Sequence, residues 1–347
     1  MPRPDSPSKV SQEVGNKNRQ NGNGFSGVAP HYYEIPQSKN PQTLDESNES
    51  LSNFQLNVQK PLYSLDEIVL AETVKLRVDR VVAEIENYDF IFDTLKMGQI
   101  HKADAGMIIG LYGPSGGGKT MLAHGIAHKL GLDILIVPSM QCKLVGDTEK
   151  MIERLFDFAS KQIQPLLIFW DEADRDFSSR IESPNQSADV GVNSARAILL
   201  QKLTSYKGII VLATNLFRTY DNAFVSRIRY PIEVELPNEE ARAKIWETQF
   251  SESVKAHFDS TVDFRKLAAQ FSDVSGREIK KAALNGLVEA IGQHKDILPN
   301  FQLSQSHLVQ TMEEVIAAKE AAAEKEIKLL RVDGVDKPPL PVTSTTS

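Results

Sequence analysis

The chain has 347 residues, 41% hydrophobic and 24% charged, enough for a full core and, by length alone, for about two domains. Its formal charge of -7 argues against a protein that coats nucleic acid, and no apolar run is long enough to span a bilayer. Cys142 is the single cysteine, which excludes an internal disulfide and a cysteine-built metal site and suits a soluble, cytoplasmic protein in a reducing compartment.

Residues 1–59 are rich in Asn, Gln, Ser, Gly and Pro, carry charges of both signs and show no sustained periodicity. Such a stretch cannot bury enough apolar surface to offset its ordering entropy, so a disordered arm is expected, either recruiting a partner or serving no specific purpose. The first 30 residues lack the apolar core of a signal peptide. An α/β domain is expected over residues 60–237. Ser64 and Glu67 have capping-box spacing, and Leu65, Ile68, Val69, Leu76, Val78, Val81, Val82 and Ile85 give apolar faces to one or two helices ending by about Lys96.

Met107, Ile108, Ile109, Leu111 and Tyr112 read as a short strand buried on both faces, and the run stops at a glycine-rich loop. Residues 113–120, "GPSGGGKT", fit G-x-x-x-x-G-K-[ST] at every fixed position. Glycine suits a loop whose N–H groups curl inward around phosphates, because the main chain then comes closer than a Cβ would allow. The helix that starts near Lys119 points its N-terminal dipole at the same anion. The expected nucleotide contacts are therefore Gly113, Pro114, Ser115, Gly116, Gly117, Gly118, Lys119, Thr120 and Met121. Lys119 would reach the β/γ phosphates of ATP, and the Thr120 hydroxyl would hold Mg²⁺.

The helix after the loop carries Met121, Leu122, Ile126, Ala127 and Leu130 and ends at Gly131, a C-cap. His124 and His128 lie four apart on it, but without an intervening Glu or a third ligand the spacing reads as coincidence. A second strand is expected at 134–137 and a helix at 148–163, with Met151, Ile152, Leu155, Phe156 and Ala159 inward. A third buried strand, Leu166–Trp170, ends in Asp171 and Glu172. Asp171 would bind Mg²⁺, usually through water, and Glu172 would polarise the attacking water. Trp170 fills the core beside this pair, where it could also report nucleotide binding.

A polar stretch then precedes a helix at about 195–203, and a fourth strand at 209–213 leads to Thr214 and Asn215. The Asn215 amide either holds the water between Glu172 and the γ-phosphate or is a simple turn asparagine. A last strand at 232–236 closes a five-stranded parallel sheet with flanking helices. From Asn238 the pattern is helical only, at 238–250, 260–270, 277–292 and 304–328, which defines a small all-α lid domain over 238–328. The Pro, Thr and Ser-rich tail, 329–347, is expected to be disordered.

Together these segments resemble the AAA+ ATPases of the AAA branch, in a stand-alone, single-module form, over residues 61–316. The matching residues are "GPSGGGKT" as Walker A, "LLIFWDEAD" as Walker B, "LATN" as sensor 1, "AFVSRI" as the arginine-finger segment and "SGREIKKA" as sensor 2. The resemblance implies an ATP hydrolase that forms a homo-oligomeric ring, usually a hexamer, with nucleotide between adjacent subunits. Arg227 would then reach the neighbour's γ-phosphate, where such a finger gives roughly 10³ to 10⁵ in rate; otherwise it is a surface or salt-bridge arginine. Asn215 would be sensor 1, and Arg277 would contact phosphate in its own subunit and couple lid angle to nucleotide state. Many relatives carry a second trans arginine where this chain has Tyr230, with Arg229 as a substitute.

Lys143, Leu144 and Val145 correspond to the family's central-channel loop, with Leu144 in place of the usual aromatic. An aliphatic knob grips a polypeptide through apolar contact with less area per stroke. The function implied is ATP-driven remodelling or unfolding of a protein substrate or complex, with an adaptor as a further partner. Two alternatives are a nucleotide-controlled binding or assembly switch and, less favoured by the acidic balance, a nucleic-acid motor.

Overall fold

The apolar runs become the strands β2 (Met107–Tyr112), β3 (Asp133–Val137), β4 (Leu166–Trp170) and β5 (Ile209–Thr214) at the centre of one sheet. The computed structural model describes residues 56–101, 106–137, 147–173, 187–215, 222–293 and 301–332. Successive strand side chains point to opposite faces, so each central strand feeds two cores. Ile108, Leu135, Ile168, Trp170, Ile210 and Leu212 pack with α3 (Asp147–Ser160) and α4 (Ser187–Ser205). Ile109, Leu111, Ile134, Leu167, Phe169 and Val211 pack with α1 (Glu72–Glu86) and α2 (Lys119–Lys129).

The strand order is β1-β3-β4-β5-β2-β6, a sheet of six strands rather than the five expected. The added strand is β1 (Asn57–Gln59), antiparallel to β3 and inside the stretch assigned to the arm. Three residues are too few to show alternation; their strand state comes from the open edge of β3, which offers a row of unpaired backbone groups. An ion pair from Lys60 to Asp133, 2.6 Å, adds to the join. At the other edge β6 (Tyr230–Glu233) lies parallel to β2 and starts earlier than the expected 232, because the Arg229 N–H already donates to Ile108 O at 2.9 Å. Pro231 is tolerated there because an edge strand can lack a ladder donor.

α4 starts at Ser187, well before the expected 195. Its polar start has weak intrinsic preference, but Ala195, Leu199 and Leu203 anchor the helix to the sheet, and packing supplies most helical stability. A short helix, α5 (Asn222–Val225), then leads into β6.

Among the described residues five helices follow: α6 (Glu239–Thr248), α7 (Glu252–Lys255), α8 (Phe264–Gln270), α9 (Gly276–Gln293) and α10 (Gln305–Val332). They enclose a third core around Trp246, Phe250, Leu267, Ile279, Leu303, Leu308 and Met312. Asp263 starts α8 by accepting from the N–H groups of Arg265 and Lys266, which explains its start after the expected 260. α10 continues to Val332, past the expected end at 328, in a sequence of good helix formers. Among the described residues, no helix is long and apolar enough to cross a membrane.

Candidate nucleotide site

Strand register brings the chemistry together. β2 and β5 pair so that Tyr112 lies opposite Thr214, and β4 and β5 pair so that Trp170 lies opposite Leu212. Gly113, Asn215 and Asp171 therefore leave the sheet side by side at the carboxyl ends of their strands, where open α/β sheets bind ligands.

At two positions the glycine loop has no room for a larger residue. Gly113 has φ 140°, and a Cβ there would lie 2.2 Å from Val234 O. Gly116 has φ 80°, and its Cβ would lie 2.6 Å from Ser275 Oγ. The first helical bond of α2 runs from the Leu122 N–H to Gly118 O, 2.9 Å, so the N–H groups of Lys119, Thr120 and Met121 open toward the loop. Lys119 is only 8% exposed. Its Nζ donates to Gly113 O at 2.8 Å, Pro114 O at 2.9 Å and Asn215 Oδ1 at 2.7 Å. These three acceptors are neutral oxygens, and they orient the ammonium toward the loop. A buried lysine, a loop closed to Cβ atoms at Gly113 and Gly116, and a helix start fit a phosphate-bearing ligand.

The acidic pair stands beside this cradle. Thr120 Oγ1 donates to Asp171 Oδ2 at 3.4 Å, and the Glu172 N–H donates to Asp171 Oδ1 at 2.9 Å. Glu172 has φ 49°, a left-handed conformation unusual for a non-glycine residue. Such strain clusters at functional positions. From the lid, Arg277 Nη1 donates to Ser115 Oγ at 3.2 Å, so the second arginine reaches the same loop. Ser275 and Glu278 fix the start of α9 as a capping box, with the Ser275 N–H 2.6 Å from Glu278 Oε2. That Ser-x-x-Glu spacing was a legible signal for the arginine's placement; the approach of Ser275 to Gly116 was not.

Arg227 stands apart from the cradle's hydrogen bonds. Its Nε donates to Thr204 Oγ1 at 2.9 Å and its Nη1 to Ala223 O at 2.5 Å. Arg229 instead pairs with Glu84, 2.6 Å away on α1, and the Tyr230 hydroxyl donates to the same carboxylate. Burial, then Glu84, push the Tyr230 phenol above its ordinary value, so it stays a donor. Lys143, Leu144 and Val145 lie outside the described residues. His124 is buried in α2, where its Nδ1 accepts the Leu62 N–H at 3.2 Å. Among the described residues, no group of three or more His, Cys, Asp or Glu is placed to hold a metal ion by itself.

Residues 109–237 match the family model described as "ATPase family associated with various cellular activities (AAA)". This stretch belongs to the AAA family. The AAA domain so defined runs from the middle of β2 to the start of the helical region and contains the glycine loop, the acidic pair, Asn215 and Arg227. Nucleotide binding follows from that membership.

The relatives are longer proteins. The chain is 33% identical over 178 residues to the 26S proteasome regulatory subunit 8 homolog B of Arabidopsis thaliana, covering 49% of this chain and 42% of that protein. It is 32% identical over 178 residues to the 26S proteasome regulatory subunit 8 homolog of Schizosaccharomyces pombe, covering 49% and 43%. The proteasome-activating nucleotidase 2 of Halobacterium salinarum is 32% identical over 194 residues, covering 54% and 46%. The chain thus spans less than half the length of these curated relatives.

Proposed function

We propose that this chain hydrolyses ATP in a homo-oligomeric ring, with six subunits as the family expectation, and uses turnover to remodel or unfold a protein substrate or complex. One observation carries the reading. Lys119 and Asn215, 96 residues apart in sequence, meet at 2.7 Å beside the Thr120–Asp171 pair, with Arg277 on the same loop.

In this reading the backbone from Gly113 to Gly118, with Met121 at the start of α2, cradles the phosphates, and Lys119 and Arg277 offset their charge. Thr120 and Asp171 would hold Mg²⁺, which when bound neutralises phosphate oxygens. Glu172 accepts the proton of the attacking water, and Asn215 orients that water. Arg227 stabilises the charge developing in the neighbouring subunit's site. Lys143, Leu144 and Val145 move against a polypeptide in the ring's channel. The relatives' names support a protein substrate and a proteolytic complex as partner class, since no protease signature is legible in the chain itself. A cytoplasmic setting belongs to the same reading and rests on the single cysteine, which suits a reducing compartment.

The test is ATP turnover per protomer across a dilution series from about nanomolar to tens of micromolar protein, with size measured in the same samples. Turnover should rise together with a nucleotide-dependent ring. Flat turnover by a monomer would remove the inter-subunit site and leave a binding switch.

A further inference from the structure

We propose that Thr204, at the end of α4, is a positioning residue that holds the Arg227 guanidinium ready for the neighbouring subunit; this rests on the reading of Arg227 as an arginine acting in trans. A cation used at another subunit's site helps only if it is already held in place. The segment that carries Arg227 cannot hold it alone. It lies between α5, a helix of 4 residues, and β6, an edge strand of 4 residues that contains Pro231. Elements this short have little stability of their own.

α4 supplies the missing rigidity. It has 19 residues, and Ala195, Leu199 and Leu203 anchor it in the core of the sheet. The Thr204 hydroxyl donates to Leu200 O at 2.8 Å, which fixes its rotor and leaves its lone pairs for the Arg227 Nε–H at 2.9 Å. Ala223 O takes Nη1 at 2.5 Å. Among the described residues Nη2 makes no hydrogen bond, so one edge of the fork remains for another molecule while Nε and Nη1 hold the plane. Two turns earlier on the same helix, the Arg196 guanidinium lies 5.2 Å from the Phe224 ring, a second grip on the segment. Glu84 holds Arg229 and Tyr230 from the other side. The rotamer freedom of Arg227 is therefore surrendered on folding rather than when charge develops.

The experiment compares T204V, T204S, R227A and the T204V/R227A double variant in the full chain. It measures kcat and KM for ATP at protein concentrations where the ring is complete, together with ring size and thermal midpoint. T204V keeps the shape and removes the hydroxyl, so kcat should fall about fivefold to tenfold with KM, ring size and midpoint unchanged. T204S should recover kcat to within about twofold of the parent, and the double variant should be no slower than R227A, because both changes act through one group. Parental kcat in T204V beside a slow R227A overturns the positioning role. So does an additive loss in the double variant, or a T204V that loses the ring instead of rate. Parental kcat in R227A is a different failure, that of the trans arginine itself.

Discussion

Glu172 joins two facts at a single position: a carboxylate just beyond the end of a buried strand is common, but a carboxylate held at φ 49° is not. A left-handed backbone at a non-glycine residue costs about 1–3 kcal/mol, so the surrounding structure must impose it. Its neighbours do so: the Glu172 N–H is bound to Asp171 Oδ1, and the Ala173 N–H donates to Ala213 O at 3.0 Å. Glu172→Gln keeps the shape and removes the proposed base. Turnover should fall by about 10² to 10⁴ while nucleotide binding and the ring survive. Turnover and nucleotide binding measured on the same preparation decide this, and parental turnover would remove Glu172 from its role. The motif singled out the residue; its backbone conformation was not legible, because it depends on how β4 and β5 are aligned.

At the scale of elements, the glycine loop and α2 carry separable costs. Gly113 and Gly131 both have positive φ, 140° and 67°, but a Cβ on Gly113 would strike Val234 O while one on Gly131 would meet nothing within 4 Å. Gly131→Ala should therefore cost about 1–2 kcal/mol, the ordinary left-handed penalty. Gly113→Ala should cost at least about 2 kcal/mol more, since β6 or the loop must shift. Denaturant melts of the two variants give the comparison, and equal losses would mean that the Val234 contact is soft. α2 also carries His124, whose burial lowers its pKa below the ordinary 6.5. The Leu62 N–H bonded to Nδ1 and the Tyr63 ring, edge-on with centroids 6.0 Å apart, both face the neutral form. The unfolded chain then binds the proton more readily, so this contribution to stability is complete above pH 6.5 and is lost as pH falls toward the lowered folded value. His124→Leu should flatten the stability curve between about pH 7 and 5 relative to the parent, measured by thermal melts.

For the whole molecule, the lid is tied to the loop at its base. Arg277 reaches Ser115, and the next residue, Glu278, pairs with Lys319 of α10 at 2.8 Å. These contacts link the loop to α10, whose residues 317–324 are exposed. In the proposed ring, assembly adds a second level. In the dilution series, Arg227→Ala should remove the rise of turnover with protein concentration while a nucleotide-dependent ring still forms, because the arginine acts on rate rather than on nucleotide binding. Persistence of the full rise in this variant would assign the concentration dependence to something other than the finger.

The sequence by itself determined the α/β class, the four central strands, the glycine loop, the acidic pair and the helical lid. Those features are local: strand and helix periods, turn chemistry and motif spacing are all written within a few residues of one another. Only the tertiary structure decided that β1 joins the sheet, since its partner is the open edge of β3. The same holds for Glu84, which holds Arg229 and Tyr230 across 146 residues in the latter case, and for Thr204, which holds Arg227 across 23. No local pattern names such partners, because they meet only once strand order and helix packing have brought distant segments together.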